Sequence, residues 1–224
     1  MNSFFITATD TGIGKTAFTA GFALALKNLG LDVGVMKPFA TGIPQPSGYK
    51  SEDVSILANA ADTKDSEDLI NPYFFPIPTS PYAASIKLGV NIDVSSVLEK
   101  FVTLQSRHDV VLVEGIGGIL TPILKDYCVA DLIKDMGLST LLVTGTQMGA
   151  VNHTLLTLQA ADSYGIQMRG VIINSAGSED YEPGDLARDL TNLSGVDVLC
   201  MIPKFTNPTP NKMADILKNS KIFQ

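Results

Sequence analysis

The segment Gly12-Ile13-Gly14-Lys15-Thr16 carries the residue types that hold a polyphosphate. Glycines let backbone N–H groups close around phosphate oxygens, and a helix that starts here adds positive potential at its N-terminus. Lys15 supplies a point charge between the outer phosphates, and the Thr16 hydroxyl can ligate Mg²⁺. The usual spacing asks for glycine at position 9, where this chain has Thr9, so the loop is a variant. Two carboxylates are candidates to complete a magnesium site. Glu114 ends the apolar run Val110-Val111-Leu112-Val113 and precedes Gly115-Ile116-Gly117-Gly118. A carboxylate at the C-terminal end of a sheet strand faces the ligand crevice. Asp53, beside Glu52 at a helix start, fits the metal role and equally a favourable interaction with the helix dipole.

Lys37-Pro38, with Thr41-Gly42 just beyond, puts a second lysine at a strand end, where it can face a phosphoryl group in transfer. Asn174 lies in Val171-Ile172-Ile173-Asn174-Ser175-Ala176-Gly177 and offers either an amide for a purine edge or a strand-end turn residue. GTPases carry Asn-Lys-x-Asp at such a place. Gly177 stands where the aspartate would read guanine, which favours adenine. His153, in Met148-Gly149-Ala150-Val151-Asn152-His153, enters a helix whose free N–H groups can receive a carboxylate. With His108 as the one other histidine, a histidine metal site or triad has no support, and capping or packing is the default for His153.

These residues need a frame to bring them together. Short β-branched runs alternate with segments of helical period, predicting strands at 3–7, 32–37, 109–113, 140–144, 171–174 and 197–202. Helices are expected at 15–29, 52–61, 94–105, 129–136, 151–164 and 182–193. Continuously apolar strands such as Leu141-Leu142-Val143 belong to a parallel sheet covered on both faces. The expected fold is α/β, a doubly wound, mostly parallel P-loop NTPase-type sheet with helices on both faces, in one domain over residues 1–224. The proline-rich stretch 62–81 lacks a helical period and reads as a long irregular segment, usually a functional or covering one.

Composition narrows the classes. With 45% hydrophobic and 17% charged residues, the chain is no disordered segment. A net charge of −7 argues against nucleic-acid binding through a general basic field. Cys128 and Cys200 have no CxxC or histidine-rich context, so free thiols in a reducing compartment are expected. The N-terminus lacks the basic start and apolar core of a signal peptide, and no apolar run approaches the roughly 20 residues of a membrane helix. A soluble cytoplasmic protein with no membrane partner is the expectation.

The constellation resembles the dethiobiotin synthetase family. The resemblance rests on Thr9-Asp10-Thr11-Gly12-Ile13-Gly14-Lys15-Thr16, on Lys37-Pro38 with Thr41-Gly42, and on Pro78-Thr79-Ser80-Pro81. It continues through Val113-Glu114-Gly115-Ile116-Gly117-Gly118 and Gly149-Ala150-Val151-Asn152-His153-Thr154-Leu155-Leu156-Thr157, and runs from the N-terminus to about Pro203. This chain has Ala8 where the family often has glycine and Thr41 where serine is common, while the segment after Pro203 matches poorly.

The resemblance implies an ATP- and Mg²⁺-dependent homodimeric ligase that closes the ureido ring of dethiobiotin from 7,8-diaminononanoate and CO₂. Lys15 and Lys37 would be the catalytic lysines, and Thr16, Asp53 and Glu114 the metal ligands. Nucleotide contacts would come from Gly12, Ile13, Gly14, Lys15, Thr16, Ala17, Asp53, Glu114, Gly115, Ile116, Gly117, Asn174, Ser175 and the backbone at Pro203, Lys204 and Phe205. Substrate contacts would come from Thr11, Thr41 and Gly118, and from the helix start Gly149, Ala150, Val151 and Asn152 at the dimer interface.

A ParA/MinD-like dimeric ATPase switch is the alternative. Such proteins carry an extra lysine early in the phosphate loop, where this chain has Asp10, and no lysine precedes Lys15. A glutaminase-bearing synthase of the same superfamily does not fit in 224 residues.

Overall fold

A computed structural model describes residues 3–176 and 180–223; Gly177, in the place of the guanine-reading aspartate, lies outside the described residues. The elements run β1 (Phe4–Ala8), α1 (Lys15–Asn28), β2 (Val33–Met36), β3 (Phe39–Thr41), α2 (Glu52–Ala61), α3 (Glu67–Ile70), β4 (Tyr73–Phe75), α4 (Pro81–Leu88), α5 (Val94–Gln105) and β5 (Val110–Glu114). They continue as β6 (Pro122–Leu124), β7 (Tyr127–Cys128), α6 (Val129–Met136), β8 (Ser139–Thr144), α7 (Ala150–Ser163), β9 (Met168–Asn174), α8 (Pro183–Ser194), β10 (Val198–Ile202) and α9 (Pro210–Leu217).

Six strands form one sheet in the order β10-β9-β8-β1-β5-β2, with every neighbouring pair parallel. Alternate residues of each strand enter different cores. Ile6, Val35, Leu112 and Val143 pack under α1, α2 and α9, while Phe5, Met36, Val111 and Val113 pack under α5 and α6. Helices therefore cover both faces, and the strands are apolar throughout for that reason. From β1 the chain fills the β5–β2 side, then crosses back to β8, β9 and β10. Beside β1 the order reverses, and in sheets of this kind ligands bind at that point, beyond the C-terminal strand ends.

The stretch 62–81 departs from the irregular segment expected. It holds α3 and β4, and β4 pairs in parallel with β3, outside the main sheet. The run Tyr73-Phe74-Phe75 is short and bounded by Pro76 and Pro78, which hides its strand character in sequence. Aromatic stacking decides the outcome: Tyr73 lies over Phe39 at 5.5 Å and against Phe75 at 6.1 Å. The helix α4 follows from a local signal, Ser80 accepting from the Ala83 N–H with Pro81 in the first turn. Among the described residues no helix is long and apolar enough to cross a membrane.

Candidate active site

The loop after β1 turns through Thr11 and Gly12 into Gly14, whose φ of 90° is the left-handed conformation that favours glycine. It delivers the chain to α1 with no side-chain cap and no acidic residue in the first turn. The N–H groups of Lys15, Thr16 and Ala17 therefore open an anion-favouring helix start. The Lys15 ammonium folds back over this loop and donates to the carbonyls of Asp10 (3.0 Å) and Gly117 (2.9 Å). Burial pushes it down to about 8, with Glu114 offsetting part of the loss. An arriving polyphosphate would supply the counter-charge that two carbonyls do not.

Lys37 leaves the end of β2, and Glu114 ends the adjacent β5, in register one residue beyond the pair Met36–Val113. The Lys37 Nζ reaches Glu114 Oε1 at 2.5 Å and Asp53 Oδ2 at 2.9 Å. Thr16 donates its hydroxyl to the same Glu114 oxygen at 2.8 Å. Glu114 is fully buried, Lys37 nearly so, and Asp53 half exposed. Burial alone would push Lys37 down, but the two carboxylates hold it above its usual value. Burial would likewise raise Asp53, and Lys37 keeps it below. Both groups are thus held charged. Asp53, placed at the start of α2, turns its carboxylate towards Lys37, so the helix-dipole reading does not exhaust its role.

The backbone that carries Lys37 is itself clamped. Its N–H donates to the Ile70 carbonyl at 2.7 Å, and the buried Asn71 amide donates to the Lys37 carbonyl at 2.6 Å. No local motif in the sequence singles out Asn71, because its partner lies 34 residues away.

Glu114 Oε2 is buried and has no hydrogen-bond partner. That orphaned oxygen fits a cation ligand, since a bare buried carboxylate oxygen is costly to leave unsatisfied. Thr16, Glu114 and Asp53 form an oxygen-only set of two carboxylates and a hydroxyl. This suits Mg²⁺, which keeps waters and substrate phosphates in its remaining positions. Among the described residues no group of three or more His, Cys, Asp or Glu side chains gathers as a metal cage, here or elsewhere.

A cavity of about 670 Å³ opens in front of these groups. Thr11, Gly12, Gly14, Lys15, Thr16, Lys37, Thr41, Asp53, Ile116 and Gly117 line it. So do Pro78, Thr79, Ser80 and Thr121, to which sequence reasoning gave no role. The first three lead into α4, a helix the sequence reading did not predict, and their place in the same lining as Lys15 depends on long-range packing.

Other candidates lie apart from this lining. Ile13 lies within the phosphate loop and Ala17 follows it in α1, and Gly115 donates to the Ile6 carbonyl at 2.9 Å. Gly118 borders a neighbouring depression with Thr9, Leu120, Leu156 and Thr157. Gly149, Ala150, Val151 and Asn152 begin α7 without a side-chain cap, outside both linings. Asn174 is buried at the end of β9, its amide Nδ2 donating to the Ile13 carbonyl at 2.8 Å, and Ser175 follows with its N–H on the Ile202 carbonyl. Pro203, Lys204 and Phe205 follow β10, and the Lys212 ammonium stands 5.9 Å over the Phe205 ring. His153 lies in the first turn of α7, its N–H on the Gly149 carbonyl.

A sequence-family model described as an AAA domain matches residues 2–212. The chain is 51% identical over 203 residues to the ATP-dependent dethiobiotin synthetase BioD of Nitrosopumilus maritimus, covering 91% of this chain and 89% of that one. It is 38% identical to the protein of the same name from Bacillus velezensis, over 91% of this chain and 84% of the relative. Among solved structures, the MinD cell division protein of Aquifex aeolicus superposes with a TM-score of 0.55 at 13% identity, covering 97% and 96% of the two chains. A ParA family ATPase from Chlorobium tepidum gives 0.54 at 18% identity over 96% and 90%. At such identities these two show the shared P-loop NTPase fold alone.

Proposed function

The chain belongs to the dethiobiotin synthetase family and is an ATP-dependent ligase of biotin biosynthesis, and from that premise we propose the reaction its site carries out. It closes the ureido ring of dethiobiotin from 7,8-diaminononanoate and CO₂, with ATP converted to ADP and phosphate. One amine of the substrate takes up CO₂ to give a carbamate. A carbamate oxygen then attacks the γ-phosphorus, ADP leaves, and a carbamic–phosphoric mixed anhydride results. The second amine attacks the carbonyl carbon and phosphate departs.

No side-chain nucleophile is needed, so the protein contributes position and charge. Lys15 and the N–H groups from Gly12 to Thr16 would cradle the phosphates. Lys37, held charged by Glu114 and Asp53, would stabilise the negative charge that builds as the γ-phosphoryl group passes to the carbamate. Thr16, Asp53 and Glu114 would hold Mg²⁺, which when bound neutralises phosphate charge and orients the leaving diphosphate. Thr11, Thr41 and Gly118 would face the diamine, and Asn174, Ser175 and the 203–205 backbone would border the adenine.

The working unit would be one domain per chain, paired as a homodimer in the cytoplasm. Exposed Leu120, Leu156 and Met148 on the side of α7 support a pairing face there. The uncapped start Gly149–Asn152 would then receive the carboxylate of a substrate held by the other subunit, which accounts for its distance from this chain's own cavity.

The observation that carries the proposal is the convergence of Lys15, Thr16, Lys37, Asp53 and the orphaned Glu114 oxygen at one strand-end crevice. The test is ADP formation by the purified protein, with each component omitted in turn. Dependence on diaminononanoate, CO₂ and Mg²⁺ together is expected. ADP formation that ignores the diamine and rises with DNA or lipid would replace the ligase with a switch.

A further inference from the structure

Asn174 closes β9, fixed by its register with Ile202 and by the Ser175 N–H on the Ile202 carbonyl at 3.0 Å. Its side chain is buried, and Nδ2 donates at 2.8 Å to the carbonyl of Ile13, a residue 161 positions earlier in the phosphate loop. The same amide leaves no room on Gly14: a Cβ there would stand well inside contact distance of Asn174 Nδ2. The consequence follows from peptide geometry. The Ile13–Gly14 peptide is planar and trans, so its C=O and N–H point in opposite directions. Fastening the Ile13 carbonyl to Asn174 turns the Gly14 N–H the other way, and Gly14 lines the cavity that holds Lys15 and Thr16.

We infer that Asn174 is a positioning residue for the phosphate loop, tying the β1–α1 turn to β9 so that the Gly14 N–H is presented to a phosphate before any ligand arrives. This goes beyond its proposed place beside the adenine: part of an ATP affinity credited to base reading would come from the loop. The inference rests on the reading of this loop as the ATP phosphate cradle for its catalytic consequence, but not for the tether itself.

The test uses full-length Asn174→Asp, which keeps the shape and replaces the donor with an acceptor, and Asn174→Ala. Hydrogen–deuterium exchange is followed in the ligand-free protein over residues 10–18, with strands β1 and β5 as the internal reference. Exchange in the loop is expected to quicken about tenfold while the reference stays at its wild-type rate. Affinities for Mg²⁺–ATP and for base-free Mg²⁺–tripolyphosphate should fall by the same factor of about ten, with KM for ATP rising more than kcat falls. Wild-type loop exchange with ATP alone weakened would overturn the inference and leave a base reader. Equal acceleration in loop and reference strands would also overturn it, as a general loss of stability. Should wild-type protein fail to bind tripolyphosphate at all, the reading of this loop as the phosphate cradle fails, while the exchange result still decides the tether.

Discussion

The strand pair β2–β5 carries a charge cluster at each end, and the two clusters are built differently. Beyond the C-terminal ends, Lys37 joins Glu114 and Asp53, with Glu114 fully buried and one of its oxygens without a partner. Before the N-terminal ends, His108 Nε2 donates to the Asp65 carboxylate at 2.7 Å, and its other ring nitrogen pairs with Asp32 at 3.0 Å without hydrogen-bond alignment. Arg107 adds a bond to Asp65 at 2.9 Å, and Asp109 accepts from the Asp32 N–H. Asp32 and Arg107 are open to water, and both Asp65 oxygens are engaged. Both clusters join the same two strands, so joining strands cannot be what sets them apart. The crevice cluster keeps charge desolvated and one acceptor unfilled, whereas the floor cluster spends its charges on protein partners and solvent. The first arrangement costs stability unless something binds, and the second costs little.

Replacing Lys37 should therefore produce the largest effect. Lys37→Ala removes the cation from Glu114 and, on the proposed mechanism, from the phosphoryl group in flight. We expect kcat to fall on the order of 10²–10³-fold, with ATP affinity changed less than about tenfold, checked by steady-state kinetics beside calorimetric binding. Metal-free stability should fall as well, by about 3 kcal/mol, because Glu114 is left as a buried unpaired charge. Normal turnover in this variant would remove the catalytic reading of the crevice. Glu114→Gln is next. In the wild type, Mg²⁺ should add several degrees to the thermal shift given by ADP, since a ligand that binds the folded state alone stabilises it by mass action. In the variant that metal-dependent increment should vanish while part of the ADP shift remains. An undiminished increment would show that the orphaned oxygen is not a metal ligand.

The contrast between the clusters also marks how far sequence carries. Lys15, Thr16, Lys37 and Glu114 were legible because each ends an apolar strand or opens a helix, and the sheet places all such ends on one side. The doubly wound fold was legible for the same reason, from strands apolar on both faces. What sequence left open is which end meets which. Nothing local says that Asn71 clamps the Lys37 carbonyl, that Asn174 turns its amide to Ile13, or that Pro78–Ser80 lines the same cavity as Lys15. Asp53 was open to two readings, and nothing local says that the packing of α2 brings its carboxylate to Lys37. His108 read as a residue before a strand, and its two carboxylate partners come from positions 32 and 65, neighbours only once the sheet is assembled.

The floor cluster supports a prediction in pH rather than in activity. Burial pushes His108 down, and contact with Asp32 and Asp65 more than reverses it, so its folded value stands above the ordinary 6.5. Stability from this group is complete below 6.5 and is lost as pH rises through the higher folded value. Asp65 runs the other way: burial would raise it, but Thr63, His108 and Arg107 hold it below its ordinary 3.8, so its contribution is present above 3.8 and lost as pH falls through the lower folded value. The pair is thus strongest between those two ordinary values. His108→Gln should lower the melting temperature at pH 6 by ~3–6 °C, from about 1.5 kcal/mol. The gap to wild type should narrow as pH is raised, and kcat should stay unchanged throughout. A gap that widened with rising pH, or a loss of turnover, would dissolve the division between a binding end and a structural end.

The smallest effect is expected at Arg107, and it tests the division within the floor itself. Its guanidinium is half exposed, while Asp65 is almost covered and already engages His108 and Thr63. An exposed cation in such a pair gives back in side-chain entropy and screening most of what it gains by attraction. Arg107→Ala should accordingly cost less than about 1 kcal/mol in urea denaturation at low salt. The cost should shrink further in 0.5 M NaCl, at roughly a third of the low-salt screening length. The His108→Gln loss should change less with salt, because that contact is mostly hidden from water. If Arg107→Ala instead cost as much as His108→Gln and resisted salt, Asp65 would depend on an uncompensated cation just as Glu114 does. The two ends of the β2–β5 pair would then differ in degree of exposure, since each holds a buried polar atom without a hydrogen-bond partner, Glu114 Oε2 at one and His108 Nδ1 at the other.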